Sequence, residues 1–317
     1  MIGRKARIFT SGRNVSCVNL FGKVIRQLKR QSLPENLHTI RRLLDGSSLR
    51  FFLRRLFFFR AKRLGQPYLL TTLHELYLVP TTDSVIAPQL FSEGEFDFVK
   101  LSRAVKILSY QRLSTLIDVG AHIGSISIPA CVRGLADKAI AIEPDIANFR
   151  LLQTNVHLNS LSDRVDIIHG AVGPSSETKF LVTEGGSNTG DHRYLPSAFD
   201  ADLSEVSLVQ ATALDSLFGR LVPATSILWM DIQGAEGLAL EGASRLLRAG
   251  ISVVLEFDPK MLEPNGGLKR GFGLLRSYGG FFDVNSSKPE FLGIEFLDSF
   301  YETALNARSS HDLLFVK

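Results

Sequence analysis

From Ser114 to the C-terminus, short apolar runs alternate with stretches whose apolar residues recur every three or four positions. The two rhythms predict strands and helices in turn. Runs at 115–119, 138–143, 164–169, 226–231 and 251–257 read as buried strands. Between the second and third, residues 144–155 read as a helix, with Pro144 where a missing N–H costs nothing and Asp145 at the positive end of the helix dipole. Residues 236–249 read as another helix, stopped by Gly250 in the position that favours a left-handed cap. Residues 268–277 predict a helix, and 281–284 and 311–316 two last strands. The whole is an α/β fold: a Rossmann-like sheet of seven strands with helices on both faces. Residues 170–225 interrupt the alternation, with an extra hairpin at 178–182 and 206–210 and a glycine-rich polar run at 184–191.

Upstream the rhythm changes. Residues 71–113 read as a lid or β-extension with small strands at 75–79 and 84–87, followed by a lead-in helix over 95–110. Residues 1–70 read as a basic, partly helical extension, and 114–317 as the main domain. Charge sharpens that division. Residues 1–63 hold sixteen Lys or Arg against Glu35 and Asp45, or +14, whereas the other 254 residues hold twenty bases against thirty acids, or −10. Between 40 and 63 arginines interleave with leucines and phenylalanines. This face suits peripheral association with an anionic membrane, and equally a helix packed on the main domain or a second subunit. No nucleic-acid reading module accompanies the charge, so nucleic acid is not the expected partner. An oligomer is compatible with the second alternative.

Two cysteines, Cys17 and Cys131, are too few for a disulfide framework. A reducing cytoplasm is the expected compartment, at most with peripheral membrane contact. The seven histidines show no metal-ligand spacing, which predicts a metal-independent protein.

Candidate chemistry concentrates at the strand ends. Leu116-Ile117-Asp118-Val119-Gly120-Ala121-His122-Ile123-Gly124 places an acid and two glycines directly after an apolar strand. Glu143, followed by Pro144, ends the next strand. In a parallel sheet these ends lie side by side, where a carboxylate can accept both hydroxyls of a ribose. The glycine spacing is G-x-x-x-G, with His122 where a dinucleotide fingerprint needs its middle glycine. A cofactor without a pyrophosphate is therefore favoured, and S-adenosyl-L-methionine, with its cationic sulfonium, suits a loop edged by acids.

The chain resembles the FkbM-type S-adenosylmethionine-dependent methyltransferases, whose fold is the class I methyltransferase sheet. Four stretches carry the likeness: 117–124; Ala141-Ile142-Glu143-Pro144 with 152–155 and Asn159; Gly170-Ala171-Val172-Gly173; and Met230-Asp231-Ile232-Gln233-Gly234-Ala235-Glu236 with 240–243. The resemblance implies that Asp118, Gly120 and Gly124 surround the methionine portion, with Ala121 and His122 between them. It implies that Glu143 takes the ribose hydroxyls, that Ala171 and Val172 lie near the adenine, and that Asp231 faces the transferable methyl. Many relatives have lysine at the place of Met230 and glutamate at that of Gln233, so this chain departs from the family at both. The implied activity is O-methylation of a hydroxyl on a sugar, glycan, glycolipid or related small molecule. The alternative is a noncatalytic protein of the same fold, tethered to a membrane or partner by its basic N-terminus. Removing an alcohol's proton calls for a general base, for which Asp231 is the first candidate, Glu256 at the end of the fifth strand the second, and His192 the third.

Overall fold

In the computed structural model, which describes residues 46–175, 177–183, 192–195 and 206–317, helix α1 (Gly46–Arg63) leads into a hairpin of β1 (Tyr68–Thr71) and β2 (Tyr77–Pro80). Two helices follow, α2 (Ile86–Glu93) and α3 (Phe98–Ile107). The strand expected at 84–87 is thus the start of a helix. Asp83 accepts hydrogen bonds from the N–H groups of Val85 and Ala87 at 2.8 and 2.9 Å, which starts the turn. Ala87, Leu90 and Phe91 then fall on one buried face.

The alternating region follows as β3 (Leu113–Val119), α4 (Ser127–Val132), β4 (Ala136–Glu143), α5 (Ile146–Leu158) and β5 (Val165–His169). A side sheet comes next, with β6 (Ala171–Val172), β7 (Glu177–Thr183), β8 (His192–Leu195) and β9 (Val206–Thr212). The predicted hairpin is β7 and β9, antiparallel with Thr178 opposite Gln210. The run 184–191 lies outside the described residues. Then come β10 (Ser226–Met230), α6 (Glu236–Glu241), α7 (Ser244–Arg248), β11 (Ser252–Phe257), α8 (Pro259–Leu262), β12 (Gly280–Asp283), β13 (Phe291–Gly293), α9 (Leu297–Ala307) and β14 (His311–Val316).

The main sheet runs β13-β12-β14-β11-β10-β3-β4-β5. It has eight strands because the three-residue β13 adds an antiparallel edge to the predicted seven. Strands β5, β4, β3, β10 and β11 are parallel, and β14 enters antiparallel beside β11. The carboxyl ends of the parallel strands therefore share one edge with the beginning of β14. Alternate residues feed two cores, with Leu116, Ala139, Trp229 and Val254 on one face and Ile117, Ile140, Leu228 and Val253 on the other.

Two predicted helices differ in form. The helix expected over 236–249 is broken between α6 and α7, because Gly242 presses on the carbonyl of Gly173 and Asp215 caps a new start by accepting from the N–H groups of Arg245 and Leu246. Residues 268–277 form 3₁₀ turns at Gly267–Lys269 and Phe272–Ser277 rather than an α-helix. Residues 51–317 make one compact unit, which takes in part of the stretch set apart by charge. Among the described residues no helix is long and apolar enough to cross a membrane.

Candidate active site

At the carboxyl edge two loops each carry a non-glycine residue in the left-handed region, His122 (φ 50°) after β3 and Gln233 (φ 54°) after β10. Such backbone is uncommon outside glycine, and the surrounding contacts must hold it. They do. Gly120, at φ 83°, lies so close to the second loop that a Cβ there would collide with the carbonyl oxygen of Asp231, whose own N–H donates to Val119 O at 3.1 Å. Beside these loops opens a cavity of about 380 Å³ that α2, α3 and β14 also help to line. Its size falls in the range of small-molecule sites, roughly 300–1,000 Å³.

One wall is made by Glu143, Pro144, Asn148 and His122. Glu143 is 3% exposed and accepts the N–H of His122 at 2.8 Å on one oxygen and that of Asp145 at 2.9 Å on the other. A carboxylate offers about four lone-pair sites, so these two donors and the Asn148 side chain, which also bonds to it, leave room for a further donor. Burial pushes its pKa up to about 8 although both backbone bonds oppose the shift.

The opposite wall is a polar network that the strand register assembles. Glu256 stands opposite Asp312 in the β11–β14 pair. The Gln233 side-chain amide donates to Asp231 Oδ1 at 2.9 Å and to Glu256 Oε2 at 3.1 Å, while Ser310 donates to the other Glu256 oxygen at 3.2 Å. Lys100, from α3, bridges Asp97 at 2.9 Å and Asp312 at 2.6 Å. Burial raises the pKa of both Asp231 and Glu256, and the neighbouring Asp231 charge raises Glu256 further. Asp231 is thus the member of the pair that ionises first, with Glu256 holding the proton.

Of the residues expected around a cofactor, Gly120, His122, Glu143, Pro144 and Asp231 line this cavity, as does Glu256 from the candidate bases. Four do other work. Asp118 accepts from the backbone N–H of Ser127 at 3.1 Å and from its hydroxyl, so its carboxylate holds the start of α4; burial raises its pKa to about 6. Ala121, 2% exposed, belongs to the apolar core. A Cβ at Gly124 would meet Ile128 and Leu152, and Gly124 is not among the residues that line the cavity. Ala171 and Val172 border a separate pocket of about 80 Å³ behind β4 and β5. The side chain of His192 lies outside the described residues. Cys131 is buried in α4, with its thiol pKa raised by burial to about 11, as suits a core thiol.

Asp97, Lys100, Asn285, Ser310 and Asp312 line the cavity without having been singled out in the sequence. They come from a lead-in helix, a turn and the last strand, and only the fold gathers them. Asn155 and Asn159 carried the family likeness without a role, and the structure supplies one. Asn155 accepts Leu78 N–H at 2.7 Å and donates to Leu78 O at 3.3 Å and Ile123 O at 3.0 Å. Asn159 accepts Leu76 N–H at 3.0 Å and donates to Leu76 O at 2.7 Å. Two asparagines one helical turn apart thus pair with a strand as another strand would, tying the β1–β2 hairpin to α5 and to the loop after β3.

The open sheet with its antiparallel β14 and its acid-edged cleft defines the class I methyltransferase architecture. The methyltransferase FkbM domain model matches residues 118–278, half of the chain, and the protein belongs to that family. A tRNA(Phe) (4-demethylwyosine(37)-C(7)) aminocarboxypropyltransferase of Pyrococcus horikoshii is 46% identical over 50 residues, 16% of this chain and 18% of that protein. Among solved structures, methyltransferase FkbM from Methylobacillus flagellatus KT is 17% identical with a TM-score of 0.36, over 64% of this chain and 43% of its own. The M. jannaschii TYW2 in complex with AdoMet is 11% identical with a TM-score of 0.38, over 79% and 85% of the two chains. The chain spans less than half of the first of those structures and 18% of the curated relative.

Proposed function

We propose that the protein is an S-adenosyl-L-methionine-dependent O-methyltransferase acting on a hydroxyl of a sugar, glycan, glycolipid or related small molecule. The observation that carries this reading is the meeting, in one cavity, of Glu143 from the end of β4 and the Asp231–Gln233–Glu256 network from the ends of β10 and β11. The residues fit the donor. Asp97, Asp231 and Asp312 against Lys100, with Glu256 holding a proton beside Asp231, favour a cationic sulfonium, and Glu143 keeps acceptor capacity for ribose hydroxyls. When bound, S-adenosyl-L-methionine supplies an electrophilic methyl group.

The chain's residues then have separate tasks. Glu143 and Asn148 hold the nucleoside side, and His122 closes that wall. Asp231 accepts the proton of the acceptor hydroxyl. Gln233 fixes the Asp231 carboxylate through the amide that also holds Glu256, which keeps the pair at a single negative charge. The gathering of acids disfavours phosphorylated acceptors and favours neutral polyols.

The test is release of S-adenosyl-L-homocysteine during incubation with neutral glycans and glycolipids. Asp231→Asn should lower turnover about 100- to 10,000-fold with cofactor affinity nearly unchanged. Lost affinity with turnover preserved at saturation would make Asp231 a binding residue only. Absence of S-adenosyl-L-homocysteine with every acceptor would favour the noncatalytic alternative.

A further inference from the structure

From Phe51 on, helix α1 docks on the rest of its unit through few residues. Phe58 and Ala61 are 0% and 5% exposed, Phe58 packs against Phe91, and the Arg54 guanidinium lies over the Phe91 ring while donating to Phe91 O at 2.7 Å. Its other faces stay open. Phe52 and Leu56 are 63% and 56% exposed, as are Phe57 (57%), whose ring also stacks on Phe91, and Leu64 (64%), just past the helix. Arg54 also donates to Thr71 Oγ1 at 3.0 Å, which sets β1 alongside the helix; Tyr68 and Leu70, on the other face of that strand, are 50% and 54% exposed. Scattered exposed apolar residues are ordinary, but so many large ones together mark an interaction surface.

We propose that this surface docks on an anionic lipid bilayer. The stretch 51–63 carries Arg54, Arg55, Arg60, Lys62 and Arg63 and no acid. Arg60 and Arg63 share the outward side with Phe52, Leu56 and Phe59, which follow one another at helical spacing. Apolar side chains enter the headgroup boundary while arginines at its level meet anionic lipid. The acid-rich remainder of the chain, at −10 beyond residue 63, is repelled by the same surface and so orients the molecule. Nucleic acid fits less well, because leucines such as Leu56 and Leu64 gain nothing from phosphates and cannot stack on bases. Lys62 connects the surface to the cavity. It donates to Thr82 O at 3.0 Å and Ser84 Oγ at 3.2 Å, directly before Val85 and Ile86, which line the cavity. A docked α1 thus brings the cavity rim near the lipid, so the acceptor class narrows to neutral sugars on a lipid anchor. This last step alone rests on the methyl-transfer reading.

Flotation of the full chain with extruded vesicles tests the docking, and uses no methyl donor, so its failure and that of the methyl-transfer reading are distinguishable. Vesicles of phosphatidylcholine with phosphatidylglycerol should carry the protein at 0.15 M salt, and phosphatidylcholine alone should carry at least about tenfold less. Phe52→Ser with Leu56→Ser, and separately Arg60→Glu with Arg63→Glu, should each lower binding at least about tenfold. All four side chains are exposed, so unchanged thermal unfolding is expected for both. No flotation with anionic vesicles, or flotation undiminished in both variants, would overturn the proposal. So would a dimer, seen by light scattering, that Phe52→Ser with Leu56→Ser makes monomeric while wild type ignores vesicles. Binding of transfer RNA that only the arginine changes abolish, without vesicle binding, would overturn it too.

Discussion

Glu143 and Asp231 lie at the ends of β4 and β10, on either side of β3, but are held differently, and the difference predicts different losses. Glu143 is clamped by two backbone N–H groups and offers its remaining lone pairs to the cavity. Above pH 8, where Glu143 is ionised, Glu143→Gln removes a charged acceptor while keeping its size. Hydrogen bonds to charged groups contribute about 1.5–3 kcal/mol, so affinity for S-adenosyl-L-methionine should fall roughly 10- to 100-fold by that measure. Asp231 is held by a side chain, Gln233, whose amide it shares with Glu256. Because burial raises the Asp231 pKa, the acid limb of the rate profile should lie above the ordinary carboxylate range, with activity lost as pH falls through it. A limb near pH 4 or below would show that another group is the base. Met230 explains one departure from the family. It is 1% exposed in the core beneath the loop, where an unpaired lysine would be costly to bury.

At the scale of elements, the site depends on loops that interlock through absent side chains. Gly120→Ala places a methyl group against the carbonyl of Asp231 in a backbone region unsuited to alanine. It should cost about 2 kcal/mol or more in urea unfolding and loosen the cavity. Asn155→Ala should cost about 1–3 kcal/mol, since it strands the N–H and C=O of Leu78 together with Ile123 O. Unchanged stability would mean that the hairpin is held by its apolar contacts alone. Four of the parallel strands were legible because each is a buried apolar run that ends at or just before Asp, Glu or glycine; β5, half-buried at the sheet edge, was legible from its place after the α5 pattern. The break after α6 and the helical start at Ile86 were not. Both depend on side-chain caps, Asp215 reaching from thirty residues away and Asp83 reading as a turn residue. Likewise Lys100 and Asp312 look like surface charges in the sequence until β14 enters antiparallel and sets Asp312 opposite Glu256.

For the whole molecule, buried acids couple folding to pH. Burial raises Glu143 and Glu236 to about 8 and Asp118 to about 6. Between the ordinary carboxylate pKa and those values the folded state holds protons that the unfolded chain has released. Stability from these groups therefore falls as pH rises through that window. Glu143→Gln should be more stable relative to wild type at pH 8 than at pH 5, as read by urea unfolding at both values. An equal difference at the two pH values would show that Glu143 ionises freely in the folded protein. Such strain suits a site in which a bound cation offsets the buried negative charge.

The most direct test is calorimetric titration of S-adenosyl-L-methionine into the wild-type chain and into Glu143→Gln. At a pH above 8, wild type should show one binding site per chain, and the variant an affinity lowered roughly 10- to 100-fold. No heat of binding in wild type, or equal affinity in both proteins, would contradict this.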